Sequence, residues 1–430
     1  MKIVIIGSSA ASKSAVETLQ RSGVEDIELT IISKDKTPYY SRVILPNHLA
    51  GYLTEEELIF YRLKSTLGSK TEMIHGTVTS VDSSNRKVVL TDGRQIGYDR
   101  LLICSGASPS VLLPERIPGE PIRGVCHFRN IEDIDQIREF LPDAKECVVA
   151  GGGLIGLKAA VALNHLGKHV TVVHRSSQLL STFMDRQGSE MVHRILNQQG
   201  IDFMLCDTIE GYETDQERLS GVTLKSGKNL EAQLVVWAAG VSPNTEFLKS
   251  SGIEIDKGIC IDEYMQTNIE GIFAAGDVTR AKNLLTDEPD TITLWTDATL
   301  QGKVAAWNVL GIKKRYIGGL TMNSVVFNNV PFISMGIIRD ADIVNDQVFT
   351  FLDQDKEVYR KIVLRDNQII GAVFAGDIRY AGMVNWDLKS KRLVKNGKRY
   401  VSISGLEEVF REHHAELMSQ LDLTIDNKED

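Results

Sequence analysis

The chain has 430 residues, of which 43% are hydrophobic, and its formal net charge at pH 7 is -9. A chain of this length is expected to fold into two or three domains with substantial cores. The acidic balance argues against nucleic acid as the main partner, because phosphate binding needs a basic surface. No apolar run approaches the roughly 18 residues that a membrane span needs.

The cysteines are scattered along the chain, at Cys104, Cys126, Cys147, Cys206 and Cys260. With no Cys-x-x-Cys, this spacing supports neither an internal iron–sulfur cluster nor a vicinal redox disulfide, and no metal site is predicted. Most lie in apolar runs, where a thiol behaves as a small hydrophobe. The N-terminus enters a strand directly and does not resemble a signal peptide, so a reducing, cytoplasmic location is expected.

The first residues predict a dinucleotide-binding βαβ unit. Residues 2–6 are apolar and β-branched, Gly7 breaks this strand, and residues 10–19 have helical composition. The glycine fingerprint is damaged, since Ser9 and Ser12 stand where glycines are expected. Ser9 is small, and its hydroxyl and the free N–H groups of the helix start could bind phosphate. A plain structural turn fits this stretch equally well.

The next strand, residues 28–32, is followed by Asp35, which we expect to bind a ribose 2′-hydroxyl. Arg42 could clamp a pyrophosphate through two hydrogen bonds or lie on the surface. Residues 77–82 and 87–91 predict a β-hairpin. Another buried strand, residues 101–104, ends in small residues.

A second nucleotide unit has an intact fingerprint at Gly151, Gly153 and Gly156. A strand at 147–150 precedes it, and a helix at 157–166 and a strand at 169–173 follow. This context predicts dinucleotide binding.

The end of that second strand bears on the choice of nucleotide. It carries His174 and Arg175 in place of the acidic residue usual in NAD sites. Arg175 could pair with a 2′-phosphate, which permits NADPH without settling the choice. The unit closes with a strand at 234–237 that runs into small residues.

Residues 271–278 predict a short buried strand with Asp277 at its tip, where ligands bind in open α/β sheets. The first domain is therefore expected to be discontinuous. A helix at 294–310 would point its positive end toward the same site. Beyond residue 320, the pattern predicts a sheet and a helix at 406–421, with His413 and His414 on a solvated helix face and not in a metal site.

The ordered motifs resemble the two-dinucleotide-binding-domain flavoproteins of the pyridine nucleotide-disulfide oxidoreductase superfamily. Residues 40–42 and 318–324 resemble the rubredoxin reductase and nitrite reductase flavin-domain branch. Residues 7–9 and 156–160 are similar to FAD subunits of phenylglyoxylate dehydrogenase-like and aldehyde oxidoreductase-like complexes. The expected fold is α/β, with two Rossmann-like domains and a small α+β C-terminal domain. Its expected bounds are an FAD domain at 1–115 and 245–318, an inserted NAD(P) domain at 116–244, and an interface domain at 319–430.

The resemblance implies an FAD site and an NAD(P)H site. The residues expected at FAD are Gly7, Ser9, Ser12, Asp35, Arg42, Val78, Gly106, Gly276 and Asp277. Those expected at NAD(P)H are Gly151, Gly153, Gly156, His174, Arg175 and Gly240. Two departures from the family stand out. First, residues 1–103 contain no cysteine, and Val43 stands near the position where the coenzyme A disulfide reductase branch has its redox cysteine. Second, Lys158 replaces the glutamate that is common in this helix of the family.

The resemblance implies an FAD-dependent NAD(P)H oxidoreductase whose chemistry belongs to its cofactors. Without a cysteine relay, electrons would pass between the nicotinamide cofactor and an external one-electron carrier, a rubredoxin or an iron–sulfur partner subunit. The chain could act as a homodimer or within a hetero-oligomeric complex. Three alternatives stay open: an NAD(P)H oxidase or quinone reductase, a thiol-disulfide reductase, and a non-catalytic FAD-binding assembly subunit.

Overall fold

A computed structural model describes residues 1–62, 70–110, 115–117, 120–215 and 217–426. They form two compact units, one of residues 1–175 and 201–320, the other of residues 176–200 and those from 321 onward. The helices are α1 Ala10–Arg21, α2 Leu45–Leu49, α3 Glu55–Leu58, α4 Ile131–Phe140, α5 Leu154–His165, α6 Arg186–Gln198, α7 Trp295–Val309, α8 Ala381–Lys389 and α9 Ile403–Asp426.

The first unit contains a five-stranded parallel sheet that includes the N-terminus. Its strands, in spatial order, are Ile272–Ala274, Arg100–Ile103, Lys2–Ile6, Glu28–Ser33 and Lys70–His75. The strand at 272–274 pairs with the one at 100–103, although about 170 residues separate them in the chain. The late Gly-Asp segment therefore lies at the same sheet as the N-terminal turn, as predicted.

A second five-stranded parallel sheet in this unit carries the intact glycine fingerprint. Its strands, in spatial order, are Val125–His127, Leu234–Trp237, Glu146–Ala150, His169–His174 and Ile201–Leu205. The unit also contains short antiparallel sheets: Val78–Asp82, Lys87–Leu90 and Gln95–Gly97; Glu115–Ile117 and Glu120–Pro121; Ile209–Asp215, Arg218–Leu224 and Asn229–Glu231. A short mixed sheet pairs Ile259–Cys260 in parallel with Thr279–Lys282, which pairs antiparallel with Pro289–Asp290.

Two further short strands, Ala107–Pro109 and Val241–Pro243, connect the two parallel sheets. Each follows a central strand of one sheet, and the two pair antiparallel. The Asn244 N–H donates to the Gly106 carbonyl at 2.9 Å, and the Ser105 hydroxyl donates to the Asn244 carbonyl at 2.9 Å. Both predicted strand ends that finish in small residues thus meet at one place.

The second unit has a five-stranded antiparallel sheet. Its strands, in spatial order, are Met322–Phe327, Val330–Gly336, Gln368–Ala375, Val358–Arg365 and Gln347–Asp353. With α8 and α9, this sheet confirms the predicted α+β character of the C-terminal region. Residues 176–200, which lie inside the expected 116–244 domain, belong to this unit.

The prediction that His413 lies on a solvated helix face is wrong. Its side chain is only 14% exposed, and Nε2 lies 3.1 Å from Oδ1 of the fully buried Asp387 in α8. The ring also packs edge-to-face against Trp386. Burial raises the pKa of the Asp387 carboxyl. The pair is a packing contact between α8 and α9.

Helices α1 and α7 approach each other very closely at Gly302. A Cβ atom at this position would lie 2.1 Å from the Ala11 carbonyl oxygen, which no side chain can tolerate without movement of the backbone. Ala15, Ala305 and Ala306 are fully buried in the same core. Small residues on both helices therefore set the distance between the first helix of the N-terminal unit and the helix that follows the Gly-Asp segment.

We expect Gly302→Ala to destabilise the protein by about 1–3 kcal/mol, the usual cost of an extra methyl group in a tightly packed core. Urea unfolding would measure this change. Gly97→Ala is the matched control, because a Cβ there meets no atom within 4 Å. Equal midpoints for the two variants would contradict the close approach of α1 and α7.

Candidate functional site

The N-terminal turn has the backbone of a phosphate site. Gly7 has φ +110°, and a Cβ there would lie 2.1 Å from the Cys104 carbonyl oxygen, so only glycine fits. Ser9 is the N-cap residue of α1, yet its side chain makes no capping hydrogen bond. An uncapped helix start offers N–H groups and a positive dipole end to an anion. These features fit a bound pyrophosphate.

The other serines of this segment form hydrogen bonds inside the protein that stabilise the turn. Ser12 is fully buried, and its hydroxyl lies 3.2 Å from the hydroxyl of Tyr39. The Ser8 and Ser33 hydroxyls are 2.6 Å apart, and the Tyr39 N–H donates to the Ser8 carbonyl at 2.9 Å. Ser12 thus supports the turn from behind, and its expected contact with pyrophosphate stays a prediction.

Arg42 and Asp35, both expected at FAD, bind each other. Arg42 Nη2 lies 2.5 Å from Asp35 Oδ2, and both side chains are mostly buried. The guanidinium also lies over the Tyr40 ring and donates through Nε to the Asn130 side-chain oxygen at 3.4 Å. Burial alone would lower the pKa of Arg42, but the Asp35 carboxylate, together with Tyr40 and Asp277, outweighs it, so the pKa is raised. Arg42 therefore keeps its positive charge at this mostly buried position.

Asp277 forms an ion pair that sequence reasoning missed. Its Oδ2 atom accepts a hydrogen bond from Arg129 Nη2 at 3.2 Å, and both side chains are about one-fifth exposed. Asp133 fixes the segment before α4, because its carboxylate accepts from the N–H groups of Arg129 and Asn130 at 2.7 and 2.9 Å. The Asn130-x-x-Asp133 capping box could have located this helix start. Nothing in the sequence marked Arg129.

A buried polar network fixes the Gly276 turn against α7. The Gln301 side-chain oxygen accepts hydrogen bonds from the Gly276 N–H and the Thr279 hydroxyl, each at 2.8 Å. Its amide nitrogen donates to Asp297 at 2.6 Å, and the Tyr316 hydroxyl donates to the same carboxylate at 2.7 Å. Buried polar groups that are satisfied in this way rigidify a site. Asp277 therefore projects from a rigid turn.

The second glycine turn is built mainly by close packing of backbone atoms. A Cβ at Gly156 would lie 1.9 Å from the Gly151 carbonyl oxygen, and one at Gly151, with φ +128°, 2.5 Å from the Ala238 carbonyl oxygen. Gly153 is different, because a Cβ there meets nothing within 4 Å. It is the N-cap residue of α5 and has no side chain that could cap the free N–H groups of the helix start. The open space at Gly153 and the uncapped helix fit a nucleotide pyrophosphate.

The remaining expected residues occupy different places in the first unit. The Gly152 N–H donates to His174 Nδ1 at 3.1 Å, so His174 supports the turn, whereas Arg175 is exposed. Gly240 and Gly106 have φ of +104° and +66° at the paired strand ends. Val78 begins a strand and is partly buried. Their contacts with cofactors stay predictions.

Three of the thiols are poor candidates for redox chemistry. Cys104, Cys126 and Cys147 are buried, and burial raises the pKa of Cys126 and of Cys147 to about 12. Burial also raises the pKa of Cys104 strongly. The thiolate is the reactive form, so these groups are unreactive near neutral pH.

Comparison with known proteins settles the family. Residues 1–302 match the family model described as "Pyridine nucleotide-disulphide oxidoreductase", and residues 322–391 match "Rubredoxin NAD+ reductase C-terminal domain". The chain belongs to the pyridine nucleotide-disulphide oxidoreductase family. This membership confirms the expected fold class, the oxidoreductase class, and FAD and NAD(P)H as the cofactors.

The relatives of this chain differ in length. The chain is 32% identical over 416 residues to the NADH oxidase of Methanocaldococcus jannaschii, and the match covers 90% of each protein. It is 31% identical over 378 residues to nitrite reductase [NAD(P)H] of Bacillus subtilis, covering 87% of this chain but 46% of the relative. The chain thus spans about half the length of that relative.

Two further likenesses bear on the expected branches. The NADH-dependent phenylglyoxylate dehydrogenase subunit epsilon of Aromatoleum evansii is 28% identical over 399 residues, with 91% of this chain and 92% of the subunit covered. The solved complex of putidaredoxin reductase with putidaredoxin superposes with a TM-score of 0.86 at 22% identity, covering 96% and 98% of the two chains, which supports the fold. In the described part of the chain, no helix is long and apolar enough to cross a membrane.

Two glycine variants at the second turn distinguish a glycine needed for backbone packing from one needed for nucleotide binding. Gly153→Ala should leave thermal stability unchanged but weaken NADH and NADPH binding about tenfold, a loss of about 1.4 kcal/mol, because its methyl group enters the open space. Gly156→Ala should lower stability as well, since its Cβ meets backbone. Equilibrium titration and thermal unfolding would test both. Unchanged nucleotide binding by Gly153→Ala would contradict the assigned site.

Asp277→Ala should weaken FAD binding about tenfold, the effect expected when one partner of a charged hydrogen bond of about 1.5 kcal/mol is removed. The FAD content after dialysis would measure it. Asp256→Ala is the control, because it removes an ion pair to Arg280 that is more exposed than that of Asp277. Full FAD retention by Asp277→Ala would argue against a role at this cofactor.

Proposed function

We propose that this protein is an FAD-dependent NAD(P)H oxidoreductase that exchanges electrons with an external one-electron carrier, a rubredoxin or an iron–sulfur partner subunit. The observation that carries the proposal is the presence of two glycine turns, each opening onto an uncapped helix start, within one compact unit. One turn is assigned to FAD and the other to the nicotinamide nucleotide.

In this proposal, the residues of the chain bind the two cofactors and orient them. The start of α1 holds the FAD pyrophosphate, with Arg42 and Arg129 supplying positive charge and Asp277 accepting hydrogen bonds from the ribityl chain. The start of α5 holds the nicotinamide nucleotide, and Arg175 allows a 2′-phosphate. FAD, when bound, supplies the chemistry that couples two-electron hydride transfer to one-electron transfer.

The carrier is proposed because the chain offers poor internal relays. Cys104, Cys126 and Cys147 are buried protonated thiols, and Val43 stands in the region of the redox cysteine of a related branch. The match of residues 322–391 to a rubredoxin reductase C-terminal domain supports a protein partner. The proposal places the enzyme in the cytoplasm, as a homodimer or within a hetero-oligomeric complex.

A second candidate is an NADH oxidase that passes electrons directly to oxygen. It is favoured by the relative from Methanocaldococcus jannaschii, which carries that name and matches this chain over nearly its whole length.

Steady-state turnover distinguishes these functions. With NADH or NADPH as donor, we expect rubredoxin or a ferredoxin-type protein to be reduced faster than oxygen is consumed without a carrier. Cys126→Ser and Cys260→Ser should leave carrier reduction unchanged, because no thiol relay is involved. Oxygen consumption that equals or exceeds carrier reduction would favour the oxidase. Loss of activity in either cysteine variant would favour a thiol-disulfide reductase.

A further inference from the structure

Lys158 is a half-buried cation without a protein partner. It lies in the second turn of α5, the helix that begins at the open glycine Gly153. Among the described residues, none forms a hydrogen bond or an ion pair with its ammonium group. Burial lowers the pKa of this ammonium group, as expected for a charge that has lost water without gaining a counter-ion. A charge held in this way calls for a ligand.

The outer face of α5 directs Lys158 toward the first dinucleotide site. Leu157, Ala159 and Ala160 are buried, whereas Lys158 is not. His165, two turns later on the same face, lies 3.0 Å from the Tyr52 hydroxyl, and α2 packs against α5. The segment from Leu45 to Tyr52 thus borders α5 on this side.

The direction of the lysine side chain follows from its place in the helix. Helical side chains lean toward the N-terminus of their helix. Lys158 therefore extends back toward Gly153 on the side of α5 that borders the first site. The nicotinamide ring must lie between the two sites, because hydride transfer requires reacting atoms about 3–3.5 Å apart.

We propose that Lys158 discriminates between reduced and oxidised nicotinamide by charge. This inference rests on the proposed function and adds a charge selectivity to its nicotinamide site. The oxidised ring carries one positive charge and the reduced ring none, while the rest of the nucleotide is the same. Repulsion by the ammonium therefore falls on NAD⁺ and NADP⁺ alone. At a separation of several ångströms in a partly buried site, this repulsion amounts to about tenfold or more in affinity.

The consequence is selective binding of the reduced nucleotide. Loss of a hydride, which is one proton and two electrons, from a bound reduced ring to a bound flavin would leave the positive charge on the nicotinamide, beside Lys158. The repulsion would then favour release of the oxidised product and limit its inhibition of the enzyme.

Equilibrium binding to the oxidised, FAD-loaded protein tests this inference without turnover. The probes are NAD⁺, its unreactive reduced analogue 1,4,5,6-tetrahydro-NAD with an uncharged ring, and ADP-ribose, which lacks the ring. We expect the wild-type protein to bind the tetrahydro analogue more tightly than NAD⁺. Lys158→Gln should shrink this ratio about tenfold, Lys158→Glu should reverse the preference, and affinity for ADP-ribose should stay within about twofold.

Lys225→Gln is the matched control, because this exposed lysine belongs to the same unit and should leave every ratio unchanged. The FAD content of each variant verifies that it is folded. An unchanged ratio in Lys158→Gln, or an equal loss of all three nucleotides, would overturn the role of Lys158 while leaving the proposed function intact. Absence of all binding by the wild-type protein would overturn both.

Discussion

The proposed FAD site depends on the close approach of α1 and α7. Gly302 brings α7 against the Ala11 carbonyl, and Gln301, its neighbour, accepts hydrogen bonds from the Gly276 N–H and the Thr279 hydroxyl. Through this contact, the helix after the Gly-Asp segment fixes that segment relative to the start of α1. A side chain at position 302 would separate the helices and displace the Gly7 and Gly276 turns relative to each other. Preorganisation of this kind is what a precise binding site requires.

The two glycine turns reach similar geometry by different means. In the second, backbone atoms pack so tightly that Gly151 and Gly156 leave no room for a Cβ. In the first, Gly7 alone has this constraint, while the buried hydroxyls of Ser8 and Ser12 bond to neighbouring side chains. The N-terminal fingerprint is therefore altered in sequence, yet it retains an uncapped helix start. Side-chain hydrogen bonds replace glycine packing there.

Much of the fold could be predicted because its strands and helices have strong local patterns. The apolar strand at Lys2–Ile6 and the intact fingerprint at Gly151 to Gly156 are examples. The pairs that complete the first site could not be predicted in this way. Asp277 and Arg129 are 148 residues apart, and Arg42 was expected to contact a cofactor without Asp35 as its partner. Likewise, His413 lies in a glutamate-rich helix, and only the fold brings it to Asp387. Long-range pairing leaves no periodic signal in a single sequence.

The central claim is that one chain holds FAD at its first turn and a nicotinamide nucleotide at its second, close enough for hydride transfer. Anaerobic stopped-flow mixing of the FAD-loaded protein with NADH and, in parallel, NADPH tests it most directly. The account predicts that at least one nucleotide bleaches the flavin absorbance in a single turnover, without any carrier. A flavin that stays oxidised with both nucleotides would contradict it and leave a non-catalytic FAD-binding subunit as the better description.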